Sequence, residues 1–190
     1  MKKITFVILF LLLFTTAYSK ERLFTFQAGI STGGAVYSDS ETQEYDKSVG
    51  NFLPFNFGAN LEININAASE VSFFAGSDVF MTFNAESPLY SNHINVLFPF
   101  GIKIYPHLKG LCFGIAYAPS YRQNYFNLKD SVQNQSVSGW GNGLKLLLEY
   151  NFSKNKDFAN YPVLGFAWHY SPRKNNCHDH LFLFYVKANF

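Results

Sequence analysis

Apolar and polar residues alternate along most of this chain. From Leu53 onward, Leu53, Phe55, Phe57, Ala59, Leu61, Ile63 and Ile65 share one parity, and Asn56, Gly58, Asn60, Glu62 and Asn64 take the other. A period of two sustained over that length predicts a β-strand with one apolar face. The pattern recurs in Phe24–Ser31, in Val71–Met81, in Ile94–Ile104 and in Leu111–Tyr121. It continues through Gly139–Phe152, Leu164–Tyr170 and Phe182–Phe190, so eight strands are expected.

The start of the chain follows another rule. Lys2 and Lys3 precede a largely apolar run from Ile4 to Phe14, followed by Thr15, Thr16 and the small-x-small triplet Ala17, Tyr18, Ser19. That is the layout of a secretory signal peptide. The run is shorter than the roughly 20 apolar residues of a membrane-spanning helix. Residues 1–19 are therefore read as a signal peptide and 20–190 as one domain. No second long apolar run follows, so a membrane-spanning form of this domain has to be a closed barrel.

An eight-stranded up-and-down barrel has two solutions, one soluble with its apolar side chains around a ligand, the other inverted in a bilayer. Three features favour the bilayer. The apolar stripe is bulky, whereas the opposite face collects Gly, Ala, Ser, Thr, Asn and charges. Aromatic residues on the apolar parity fall near strand ends (Phe24, Tyr121, Trp140, Tyr150, Phe152, Trp168, Tyr170), as interfacial girdles do. The connections alternate between short or moderate (66–69, 106–109, 153–160) and mostly longer, polar ones (35–51, 84–93, 122–136, 171–179), which sets the latter on the outside. Pro99 falls inside the fourth strand, where its missing N–H predicts a bulge.

Composition narrows the classes. The chain holds 22 Phe and 12 Tyr but only 15% charged residues, and a net charge of +2 gives no basis for a nucleic-acid partner. Two cysteines, Cys112 and Cys177, make neither a disulfide scaffold nor a paired-ligand zinc pattern, and they are expected near opposite ends of the barrel, beyond bridging distance.

The signal segment, the eight alternating strands and the terminal stretch from Phe182 to Phe190 together resemble the small bacterial outer-membrane β-barrels, the class of the OmpA transmembrane domain, OmpX and OmpW. The resemblance spans the whole mature chain and implies an all-β, eight-stranded antiparallel barrel in the outer membrane. It further implies that Phe190, preceded by Ala188, Val186 and Phe184 at alternate positions, is the signal read by the barrel assembly machinery. A monomer in contact with outer-membrane lipid is expected, with no cofactor. The class shares no single activity.

Four inward-parity charges lie near the lower ends of alternate strands: Glu62, Lys103, Glu149 and Lys187. Alternating in sign at one height, they are expected to pair and fill the bore. Above them, inward Phe74, Phe80 and Leu97 are candidates to line an apolar pocket. Cys177, His178, Asp179 and His180 are metal-ligand types, but neighbours in an extended chain point to opposite faces, so a solvated loop is expected and no metal. His169 and Ser171 share the inward parity two residues apart, and in that one respect are similar to the His-x-Ser pair of some outer-membrane lipid A deacylases. Pro172 follows the serine, and the last strand has no carboxylate to orient the imidazole. Gly139, Gly141 and Gly143 are read as clearance in the lumen rather than a phosphate loop, since no helix follows. The function expected is therefore non-enzymatic: a structural or surface-interaction barrel whose loops meet an external ligand or host surface. The alternatives are OmpW-like transport of a small apolar molecule with lateral release and, behind it, lipid A modification.

Overall fold

The structure, a computed structural model, describes residues 23–50, 55–86, 88–106, 108, 110–127, 135–152 and 162–190, with residues 86, 135–138 and 175 described in backbone only. The expected signal segment 1–19 and the connection 153–160 lie outside the described residues. The strands are β1 (Phe24–Tyr37), β2 (Phe55–Asn66), β3 (Val71–Glu86), β4 (Leu89–Leu97), β5 (Phe100–Ile104), β6 (Leu111–Tyr117), β7 (Ser120–Asn127), β8 (Gln135–Gly141), β9 (Leu144–Asn151), β10 (Val163–Pro172) and β11 (His178–Asn189). One helix, α1 (Ser40–Val49), follows β1.

Three pairs of these, β4 with β5, β6 with β7 and β8 with β9, are halves of single barrel strands, which gives eight. All neighbours are antiparallel. β1 pairs with β2 on one side and with β11 on the other, from Gln27↔Asn189 to Tyr37↔Asp179, which closes the ring. Closure at this seam gives the backbone groups there partners within the protein, while β8 has a ladder with β7 alone among the described residues.

The interruptions are informative. Pro99 does not make a bulge. Ala75↔Phe100 and Asp78↔Leu97 keep one register across it, as do Phe100↔Tyr117 and Leu97↔Ser120 on the other side. The proline only removes a donor, while its carbonyl still accepts from the Gly76 N–H at 2.8 Å. Pro119 stands at the same level in the next strand, well inside it rather than near its end, and accepts from the Phe98 N–H at 2.9 Å. The following break, Asn142–Gly143, continues the line, with the Ala118 N–H donating to the Gly143 carbonyl at 2.8 Å. The irregular register lies elsewhere, where Arg122↔Gly139 is followed by Gln123↔Val137. Gly139 has φ +73°, so the bulge on β8 uses a backbone conformation that favours glycine. Gly139 is thus a bulge residue and not lumen clearance. Gly141 and Gly143 do give clearance: a Cβ on them would lie 2.3 Å from Ser171 Oγ and from His169 Nε2 respectively.

The outer connections differ from the long loops expected. Segment 84–93 is mostly strand, since β3 and β4 stay paired up to Glu86↔Leu89. Within 122–136, β7 runs on to Asn127 and β8 starts at Gln135. Within 35–51, β1 runs on to Tyr37 and α1 takes Ser40–Val49, and within 171–179 a short turn with one 3-10 helix, Lys174–Asn176, joins β10 to β11.

The faces decide between the two barrel solutions. Outward side chains are large and apolar, among them Leu61 at 63% exposure, Ile30 at 61% and Phe55 at 68%. Inward side chains are polar or charged to a degree foreign to a soluble core, with Arg122, Lys103, Lys145, Lys187, Glu149 and His169 all fully buried. A soluble barrel would bury the first set and expose the second. Only a hydrocarbon surround makes this arrangement favourable, as in outer-membrane barrels.

Two outcomes follow. Leu61→Arg, on the lipid face of β2, is expected to cost about 2–4 kcal/mol if it lies near the bilayer midplane, measured by urea unfolding from lipid vesicles. An unchanged midpoint would mean that this face does not meet lipid. Phe190 is 65% exposed, and its N–H donates to the Phe26 carbonyl at 2.9 Å across the closing seam. Phe190→Glu is expected to lower the folded, heat-modifiable fraction in cells well below that of Asn176→Glu in the outer turn. Equal yields would remove the role of the terminal residue in assembly.

Candidate functional site

The bore of the barrel is where ionisable side chains converge. Strand tilt and the inward parity bring Glu62 (β2), Lys103 (β5), Glu149 (β9) and Lys187 (β11) together. Lys103 Nζ bonds Glu62 Oε1 and lies 2.6 Å from Glu149 Oε2. Lys187 Nζ lies 2.8 Å from Glu62 Oε2 and 2.9 Å from Glu149 Oε1. Each lysine thus bridges both carboxylates, and each carboxylate bridges both lysines. The Tyr185 hydroxyl adds a donor to Glu149 at 2.8 Å, and its ring lies beneath Lys187 Nζ, 4.5 Å from the centroid.

The intervening strands make room for this ring. Across from Glu62 stands Gly76, across from Lys103 Gly114, across from Glu149 Gly165 and across from Lys187 Gly29. A Cβ at Gly29 would lie 2.8 Å from Lys187 Cγ, and one at Gly165 would lie 2.3 Å from the Tyr185 ring. Charged residues occupy one set of alternate strands and glycines the other, so four long side chains fit where eight could not.

Phe74, Phe80 and Leu97 do not line one open pocket. Phe74 packs within the charged layer, its ring 5.0 Å from Lys103 Nζ, while Phe80 and Leu97 lie farther out along the bore. Their exposures of 3%, 0% and 0% leave no surface for a ligand to touch.

Two further networks sit above the ring, and parity alone did not reveal them. Lys145 Nζ meets Asp78 Oδ2 at 2.5 Å, and Asn60 donates to Asp78 Oδ1 at 2.8 Å. Nearer the mouth, Asp179 receives Arg122 through one oxygen and Arg173 through the other, both at 2.5 Å. Arg122 also reaches Asp39 Oδ2 at 2.5 Å and covers the Tyr37 ring at 4.6 Å. Arg122 and Asp179 lie in segments read from sequence as loop, so their inward parity carried no weight there.

Helix α1 folds over this layer. Asp39 caps it by accepting the Thr42 N–H at 2.8 Å, with Glu41 in the first turn and Lys47 in the last complementing the helix dipole. The Thr42 hydroxyl accepts from Arg122 at 3.2 Å. Asp46 Oδ1 meets His93 Nε2 at 2.9 Å, and Tyr45 stacks on Phe126 at 4.1 Å. Burial works to raise the pKa of Asp39, but its hydrogen bonds to Thr42 and the Arg122 guanidinium outweigh that and hold it below the ordinary carboxylate value.

His169 and Ser171 do not form a nucleophile and base. The His169 Nε2–H donates to the Ala118 carbonyl at 3.0 Å, and Ser171 pairs with Ser120 at 2.7 Å. Asp179, the carboxylate closest to them in sequence, is held by the two arginines. Neither Cys112 nor Cys177 forms a disulfide. In Cys177–His180 the strand sends Asp179 inward and the two histidines outward, and among the described residues no three His, Cys, Asp or Glu side chains group to hold a metal ion.

No family model matches the sequence, and no curated protein does. Among solved structures the chain is similar to Ail, the attachment invasion locus protein of Yersinia pestis, with 11% identity, a TM-score of 0.59 and coverage of 88% of this chain and 97% of that one. The same protein in complex with the heparin analogue sucrose octasulfate gives 10% identity, a TM-score of 0.60 and the same coverage. Neisserial surface protein A gives 15% identity and a TM-score of 0.52, over 89% of this chain and 98% of that one. At such identities the likeness is one of fold. Together with the inverted distribution of polar and apolar side chains, it makes this chain an eight-stranded antiparallel barrel of the bacterial outer membrane.

Proposed function

We propose that this barrel is a non-enzymatic surface-interaction protein, a rigid stalk with a closed bore that holds its outer rim toward a partner outside the cell. The single observation that carries this reading is the stack of three polar networks across the bore, the outermost one covered by α1. A transporter needs a continuous path, and this bore is occupied by paired charges from the lower ring to the mouth. The side chains expected to line an apolar transport pocket are packed, and His169 is engaged by a carbonyl, which leaves transport and hydrolysis without a supporting arrangement. The names of the similar structures, an attachment and invasion protein and a surface protein, point the same way. Export by the segment 1–19 and insertion by the assembly machinery through Phe190 belong to the same reading.

Conductance tests closure. Wild-type protein in planar bilayers is expected to show no porin-like steps, and stable open steps would defeat the proposal. Cells carrying the barrel are expected to adhere to immobilised matrix proteins or glycans, and a variant with 40–49 replaced by a Gly/Ser linker is expected to lose adhesion while remaining heat-modifiable. Adhesion no greater than that of cells without the barrel would remove the surface role.

The ring makes an energetic claim. Glu62→Gln or Lys103→Met alone leaves the ring with one uncompensated buried charge and is expected to cost on the order of 3–5 kcal/mol. The double variant is expected to cost less than the sum, with a coupling above about 1 kcal/mol. Additive costs in urea unfolding would mean that the two side chains act independently.

The helix has a pH dependence whose sign follows from Asp39. A carboxylate with a depressed folded pKa contributes stability above its unfolded value of about 4 and loses it as pH falls through the folded value. Amide exchange in α1, compared after correction for its intrinsic pH dependence, is therefore expected to accelerate below about pH 4. Asp39→Asn should show fast exchange at neutral pH as well. Protection unchanged from pH 7 to 3 would rule out control by this carboxylate.

A further inference from the structure

The outward face of β10 and β11 carries side chains that the bore does not use. Going outward along the two strands, Phe166 pairs with Phe184, then Trp168 with Phe182, then Tyr170 with His180, and finally Pro172 with His178. The rings form one cluster. Trp168 and His180 stack at 5.8 Å and 13°, Trp168 and Tyr170 at 6.1 Å and 23°, and His178 meets His180 edge-on at 5.3 Å. All four are half-buried. An aromatic girdle needs only apolar bodies with a polar tip. Two imidazoles in the cluster, one stacked on Trp168 and the other edge-on to the first, are more than that.

The hydrogen bond within the cluster fixes what it offers. The Trp168 indole can only donate, and it donates to His180 Nδ1 at 3.2 Å. In the neutral ring the remaining proton is therefore on Nε2, which presents an N–H donor. That disfavours a metal, because His180 has one lone pair already engaged and the other nitrogen protonated. It suits an oxygen acceptor, and the flat rings suit the C–H face of a sugar. Beside the cluster, Val36 lies opposite His180, and Gly34 lies opposite Phe182. A Cβ at Gly34 would meet no atom within 4 Å, so the wall is recessed there. Lys174, exposed in the turn just beyond Pro172, places a cation at the same rim.

We propose that this outer-rim surface of β10 and β11 binds the phosphorylated sugar headgroup of the outer-leaflet glycolipid. The source is the membrane rather than a free glycan because the cluster continues without a break into the lipid-facing Phe166, Phe182 and Phe184, on which the acyl chains of the same molecule would lie. The sugar ring stacks on Trp168 and Tyr170, and its hydroxyl or phosphate oxygens accept from His180 and His178. The proposal rests on the fold and the membrane location, and is independent of adhesion.

The test uses the mature chain with Trp140→Phe, leaving Trp168 as the one tryptophan, in phosphatidylcholine nanodiscs doped with lipid A or with phosphatidylglycerol. Lipid A is expected to shift Trp168 emission and slow exchange of the His180 Nε2–H at a mole fraction at least tenfold lower than phosphatidylglycerol requires. His180→Phe keeps the ring and removes the donor, and is expected to abolish that preference while the barrel stays heat-modifiable. Equal responses to the two lipids in the otherwise unmodified cluster would reduce it to an ordinary girdle, a result that needs no variant to fold. A preference retained in His180→Phe would overturn the assigned donor. Saturation by soluble glucosamine phosphate at concentrations matching lipid A would overturn the membrane as the source.

Discussion

Hydrocarbon offers no hydrogen-bond partner, and everything in this molecule answers to that. Because an open edge in the bilayer leaves N–H and C=O groups unpaired at several kcal/mol each, the sheet has to close on itself. Closure between β1 and β11 forces a bore, and a bore of eight strands is too narrow to hold bulk water yet too wide to leave empty. The polar residues displaced from the outer surface are the material that fills it. The ion-pair ring, the Asp78–Lys145 pair and the arginine layer are thus the interior counterpart of the apolar outer surface, produced by the same alternation of side chains.

Filling with charges is favourable only when each charge is matched. A buried ion pair gains little over a well-packed apolar substitute, and losing one partner is costly. What the ring of Glu62, Lys103, Glu149 and Lys187 provides is register. A strand that slipped by one residue would turn its charged side chain to the lipid and set an apolar one against three unsatisfied charges. The glycines on the intervening strands act in the same sense, since a Cβ at Gly29 or Gly165 would collide with side chains of the ring.

Much of this was legible in the sequence because a period of two needs no long-range information. Parity identified the outward and inward faces, and counting back from strand ends placed the four ring residues at one height. The outermost network was hidden because Arg122 and Asp179 stand where polar composition reads as loop, although β7 and β11 run on through those positions. Helix α1 was hidden for a related reason. It is polar on nearly every side, burying only Thr42 and Val49, so it has no amphipathic stripe, and what holds it includes its cap, its contacts with Arg122 and His93 and the stack of Tyr45 on Phe126. Pro99 misled in the opposite direction. A proline inside a strand suggests added length, yet here the missing donor falls at a level where its neighbours are interrupted too.

That shared level has a mechanical meaning. Phe98–Pro99, Ala118–Pro119 and Asn142–Gly143 face one another across three adjacent strands, and the line ends at Pro172, whose carbonyl accepts from the Asn142 N–H at 3.2 Å. The hydrogen-bonded mesh of the cylinder is therefore thinned along one oblique crease. A tube resists flattening through the stiffness of its mesh, so a crease gathers its compliance into one sector. A load that flattened the barrel would therefore bend it first between the portion of wall formed by β4, β7 and β8 and the portion formed by β5, β6 and β9, and last on the opposite side, where β1, β2, β10 and β11 are unbroken.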